Sequence, residues 1–158
     1  MNQPSHQIRL ANAVLERSRH VCALFTNPDE EYSVLLPFIK EGFDRREKAF
    51  HLVDPDLRAD HIERLAQAGI DTTAALDEGQ LEVRIWQETY RRGGHFDQMA
   101  MLALIEELLQ EGPAKGYQLT RLVAHMEWAL LDLPGVNRLV EYEARLNDIL
   151  PNYQDPVI

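Results

Sequence analysis

One cysteine, Cys22, stands in 158 residues. No disulfide can form within the chain, which fits a reducing compartment. Basic residues are scarce: 16 Lys plus Arg face 26 Asp plus Glu, a net charge of −10. A surface of that sign repels nucleic acid and anionic membranes, so direct contact with either is not expected. Long apolar runs are missing. The N-terminus, MNQPSHQIRLANAV, lacks the apolar core of a signal peptide, and no stretch approaches the roughly 20 residues that span a bilayer. There is no GxGxxG, no Ser-His-Asp order, no glycosidase-like acid pair, no internal repeat and no low-complexity linker. Nothing in the motifs demands catalysis or a cofactor. The expectation is one soluble cytoplasmic domain over residues 1–158, with 45% hydrophobic residues to build a core.

What is present is an alternation of strands and helices. Residues 5–16 carry a weak helical pattern through Ile8, Leu10, Val14 and Leu15. HVCALFT, 20–26, is the apolar run of a buried parallel strand. A helix follows over 29–42, with Pro37 expected to kink or shorten it and Gly42 to end it. KAFHLV, 48–53, is the next strand; Asp54-Pro55 opens a helix over 56–68 that Gly69 closes. A short helical turn near 72–77, a strand at 80–85, a strongly periodic helix at 95–111 stopped by Gly112-Pro113, a strand at 118–125 and a helix at 136–149 complete the core, 19–150. This order predicts an α/β fold: a mostly parallel sheet with helices on both faces.

Ligands of such folds sit at the carboxyl ends of the strands. That rule selects Phe25–Pro28, Val53–Pro55, Trp86–Tyr90 and Met126–Trp128. The first of these is where nucleotide-binding folds carry a glycine-rich phosphate loop. Here it reads Thr26-Asn27-Pro28-Asp29-Glu30-Glu31, without glycine or lysine. Pro28 removes one N–H, and three carboxylates already complement the helix dipole. No nucleotide triphosphate is expected there; Thr26 or Asn27 serves as N-cap. Aromatic residues gather at strand ends, and Trp86, Tyr90 and Trp128 suit either a pocket or the core, whereas Phe96 reads as core. Glu127 either accepts a hydrogen bond from a ligand or pairs with Arg121. His20, Cys22 and His51, with His125, are weak metal candidates; buried structural histidines and a buried thiol are the commoner outcome.

The motifs HVCALFTNPDEE, LPFIKEGFDRREKAFHLVD, LAQAGID, EGQLEV, ETYRRGGHFD, RLVAHMEWAL and YEARLNDIL occur in that order from His20 to Leu150. The chain thereby resembles the MEDS sensory domain of methanogens and methylotrophs. The resemblance implies a three-layer α/β/α sandwich similar to the RecA-like and circadian-clock ATPase domains, with the phosphate loop lost. It implies a sensor of small molecules, hydrocarbon derivatives among them, found alone or joined to DNA-binding and histidine-kinase modules. His20, Gly42, Glu47 and Glu127-Trp128 match positions the family tends to share. Arg46 stands where the family often has glycine. Members often continue into a further strand, so YQDPVI, within 151–158, is expected to begin one that is cut short.

The function expected is a non-catalytic sensory or regulatory domain. It would bind a small, weakly charged or apolar ligand through His20, Phe25, Asn27, Asp54, Trp86, Tyr90, Glu127 and Trp128, with no metal or cofactor. A shift of the RRGGHFD loop, 91–97, would pass the signal to a histidine kinase or a transcription regulator, and a second copy of the chain stays open as a partner. Two other readings stay open: a metal-dependent or hydrolase-like enzyme using His20 and Glu127, and a pure interaction module in a kinase or anti-sigma-type pathway.

Overall fold

The computed structural model describes residues 7–16, 19–89 and 95–158. Its elements are β1 (Ile8–Leu10), β2 (Ala13–Leu15), α1 (Pro28–Asp44), β3 (Lys48–Val53), α2 (Arg58–Gln67), α3 (Thr72–Asp77), β4 (Leu81–Ile85), α4 (Trp86–Thr89), α5 (Gln98–Ala114), β5 (Thr120–Ala124) and α6 (Leu139–Ile149). Short 3-10 turns occupy 55–57, 127–130, 136–138 and 150–152. Among the described residues no helix is long and apolar enough to cross a membrane.

The chain is α/β, with a three-stranded parallel sheet in the order β4-β3-β5. All six residues of β3 are buried, as a central strand covered on both faces requires. Its side chains alternate between two apolar clusters. Phe50 and Leu52 join Leu122, Met101, Ile105, Leu109, Tyr142 and Leu146, which draws in α5 and α6. Ala49 and Val53 join Val83, Val123, Leu35, Ile39 and Leu65, which draws in α1 and α2.

The first strand expected at 20–26 is much reduced. Only His20 forms a bridge, parallel to Val157, and Val157 also bridges Leu122. The end of the chain therefore lies between β5 and residues 19–21, tied by Val21 N–H to Val157 O at 2.9 Å and Ile158 N–H to Leu122 O at 3.0 Å. Residues 22–26 run on as irregular chain. The YQDPVI segment does enter the sheet, as an isolated bridge.

The helix expected at 5–16 is an antiparallel hairpin, Ile8 opposite Leu15. Ala11, at φ 50°, turns the chain, and Ile8 is fully buried in the α1 cluster. Four spaced apolar residues are too weak a helical stripe to outweigh pairing and that burial. Two glycines expected to end helices lie inside them. A Cβ on Gly42 would stand 2.7 Å from Arg121 Cδ, and one on Gly112 would clash with Thr120 Oγ1. These glycines let a buried side chain cross the helix closely. Nor does Pro37 shorten α1, which runs unbroken from Pro28 to Asp44.

Arg46 follows α1 at φ 56°, a left-handed conformation costly for a residue with a Cβ. Arg46→Gly is expected to raise stability by about 0.5–1 kcal/mol, since the relief exceeds the entropy glycine adds to the unfolded chain. A higher urea midpoint at unchanged slope would show it; a lower midpoint would mean the arginine side chain contributes more than its backbone costs.

Candidate functional site

A cavity of about 520 Å³ opens at the carboxyl end of β5. Residues 20–28 form one wall, and Ala124 to Glu127, the first turn of α1 and α6 form the others. Its apolar surface comes from side chains such as Phe25, Leu35, Ile105, Leu122 and Leu146.

The turn at 26–31 is a closed helix cap. Asn27 Oδ1 accepts from Glu30 N–H at 2.9 Å, and Glu30 returns its carboxylate to Thr26 N–H at 2.7 Å. Its backbone donors are thus partly used, and its acids face outward or into the cavity. A phosphate there meets few free N–H groups and the three carboxylates of Asp29, Glu30 and Glu31.

His20 lies on the α6 side of the cavity. Its Nε2 is 3.1 Å from Glu143, and its Nδ1 is 3.0 Å from Asn147 Oδ1. The Glu143 carboxylate raises its pKa above the usual histidine value, against the effect of burial.

Across the cavity, beneath Glu31, four rings form a chain. Tyr32 Oη lies 2.6 Å from His61 Nδ1, and His61 Nε2 lies 2.8 Å from His51 Nδ1. The His125 ring stands edge-on to His61, 5.6 Å between centroids. Burial lowers His61 to about 3, with the neighbouring His125 adding to it, and burial lowers His51 well below its usual value. Both rings are therefore neutral, and each has a single N–H to place. Burial also raises the Tyr32 hydroxyl.

His125 is buried, with Nε2 3.1 Å from Glu31 Oε1 and Nδ1 3.6 Å from Glu127 Oε1. Both nitrogens lack an aligned hydrogen bond among the described residues, so these are close approaches rather than directed bonds. Burial raises the pKa of Glu31, and the charge of Glu127 raises it further, while His125 opposes the shift.

The model of the family described as MEthanogen/methylotroph, DcmR Sensory domain matches residues 19–156. The chain belongs to the MEDS family. The MEDS chain is also similar to a transcriptional repressor, DcmR, of Methylorubrum extorquens, 27% identical over 139 residues. That match covers 88% of this chain and 49% of the repressor, so the chain spans about half the length of the curated relative it matches. No solved structure matches it.

Of the residues singled out from sequence, the MEDS fold places His20, Phe25, Asn27 and Glu127 at the cavity. Asp54 and Trp86 meet each other instead: Trp86 Nε1 donates to Asp54 Oδ2 at 3.0 Å, while Asp54 Oδ1 accepts from Asp56 N–H. Trp128 is 1% exposed and packs on Phe96, 5.2 Å between ring centroids; neither it nor Trp86 lines the cavity. Tyr90, and Arg91 to Gly94 of the RRGGHFD loop, lie outside the described residues. Cys22 is exposed, not a buried thiol, because strand pairing ends before it. His51 is fully buried, as a structural histidine would be. Arg121 does not pair with Glu127. It is buried with Glu47, 2.5 Å away, and Glu41, 3.0 Å away. His61 carried no signal in sequence: one histidine in an exposed-looking helix reads as surface until α2 is packed on the sheet.

Proposed function

We propose that this MEDS domain is a non-catalytic sensor whose cavity takes a small apolar or weakly charged ligand. Occupancy is passed to a transcription regulator or a histidine kinase, fused or separate, in the cytoplasm. The observation that carries this reading is the cavity of about 520 Å³ with a mainly aliphatic lining at the strand ends. Its size falls in the range of small-molecule sites. Glu31, Glu127 and Glu143 lie along it and disfavour an anion. The repressor relative supports an output in transcription. The two apolar clusters on either side of β3 support a RecA-like three-layer arrangement without its phosphate loop.

Titration with 1-hexanol and with hexanoate, followed by native mass spectrometry, tests the reading. The alcohol is expected to bind at least tenfold more tightly. Phe25→Ala should weaken alcohol binding about tenfold through lost apolar contact, with the fold intact because Phe25 is only half-buried. Equal binding of alcohol and carboxylate, or none of either, would count against the proposal.

A further inference from the structure

We infer that Glu31, His125 and Glu127 bind one divalent metal ion of the zinc class on the cavity wall, with a coordination position left for a donor atom of the ligand. The ligand part of this inference rests on the sensory reading of the cavity. The geometry comes first. One donor atom from each of the three residues lies within 4.8 Å of the other two. Zinc holds nitrogen and oxygen donors at about 2.0–2.2 Å, so the cluster needs to close by only about 1 Å. Glu127 is nearly half exposed, at the start of a 3-10 turn, and has room to make that movement.

The second observation is His125 itself. Its side chain is 3% exposed, lines the cavity, and has no aligned hydrogen bond at either nitrogen. A buried imidazole left in that condition costs stability, and a metal bond would satisfy one nitrogen. Two carboxylates face one imidazole there, and a divalent ion offsets the negative charge they can carry. Mixed nitrogen and oxygen donors favour zinc-class ions over calcium or magnesium. Three protein ligands leave a fourth position, as in zinc sites that take an exogenous ligand. All three residues line the cavity, so that position opens toward it.

Glu31 lies in the first turn of α1, His125 follows β5, and Glu127 begins the next turn. An ion there would tie three segments together and fix the wall of the cavity. A hydroxyl or similar donor on an otherwise apolar ligand would then gain a directed bond. The acids that turn phosphate away from this end of the sheet thus attract the opposite charge.

The test uses untagged protein stripped with a chelator and titrated with Zn²⁺ alone by calorimetry, and with Co²⁺ by visible absorbance. One equivalent should bind with micromolar or tighter affinity. His125→Ala should abolish binding. If that variant does not fold, Glu127→Gln carries the test: it should keep the native circular dichroism and weaken Zn²⁺ binding at least tenfold. No binding at millimolar Zn²⁺, or equal affinity in Glu127→Gln, would overturn the site. Titrating 1-hexanol into stripped and zinc-loaded protein separates the two proposals. Tenfold weaker binding to stripped protein supports the open position, and equal binding overturns that position while the cavity reading stands. Zinc binding as above with no alcohol bound by either form upholds the metal site and removes the sensory reading.

Discussion

Arg121→Met is expected to lower stability by about 3–5 kcal/mol, the usual cost of stranding a buried charge. Arg121 is 1% exposed and its guanidinium makes three bonds: to Glu47, to Glu41 at 3.0 Å and to Phe38 O. Its Cζ also lies 4.6 Å from the centre of the Phe38 ring. Methionine fills much of the same volume, so the main loss is charge pairing rather than packing. Glu47, itself 3% exposed, is left without its cationic partner. In a domain of this size the midpoint of thermal unfolding should fall by about 10 °C. Adding Glu47→Gln should restore part of the loss, because it removes the stranded charge. A single-variant loss below about 1 kcal/mol would mean that the pair is solvated in solution.

Acidification should act through the buried rings. His51 and His61 are held below their ordinary value in the folded state, so the unfolded chain binds their protons first. Their contribution is complete above the unfolded value near 6.5 and is lost as the pH falls below it. Each ring contributes a slope of about 1.4 kcal/mol per pH unit. His61 titrates only near 3 when folded, so its slope persists through the window from pH 6.5 to 4.5. Two rings over two units amount to about 5 kcal/mol, reduced somewhat because Glu31 and Asp155, both raised by burial, favour the folded state as pH falls. A net loss of about 3–5 kcal/mol is expected by urea unfolding between those pH values. His20 has the opposite sign. Raised by Glu143, it contributes fully below 6.5 and loses that contribution as the pH rises through its folded value. Stability should therefore peak near neutrality. Replacing His61 with phenylalanine should roughly halve the acid slope; an unchanged slope in that variant would locate the effect elsewhere.

How much of this was legible depends on the range of the interaction. KAFHLV declared β3 as a strand, and Asn27-Pro28 declared α1 through its cap. Gly42 was misread because a glycine near a helix end looks like a stop, while its reason is Arg121, 79 residues away in β5. The hairpin at the N-terminus was invisible for a similar reason: its stability comes from Ile8 packed in the α1 cluster. Around the cavity, the rule about strand ends pointed to Phe25, Asn27 and Glu127, which line it, while His20 came from the family resemblance. The rule also selected Trp86 and Trp128, which lie at strand ends but turn into the core cluster of α5 and α6. Side-chain direction at a strand end is set by the next turn, and the sequence does not print it.

By itself, the sequence determined the α/β order, the family, and the absence of a glycine-rich phosphate loop at residues 26–31, where Pro28 and the acids after it offer little to a phosphate. These are local properties of residue type and spacing. Only the tertiary structure decided that Val157 separates residues 19–21 from β5, that His51, His61, Tyr32 and His125 form one chain of rings, and that Glu31 and Glu127 close on His125. Those contacts join elements far apart in the chain, and packing of the helices against the sheet brings them within reach.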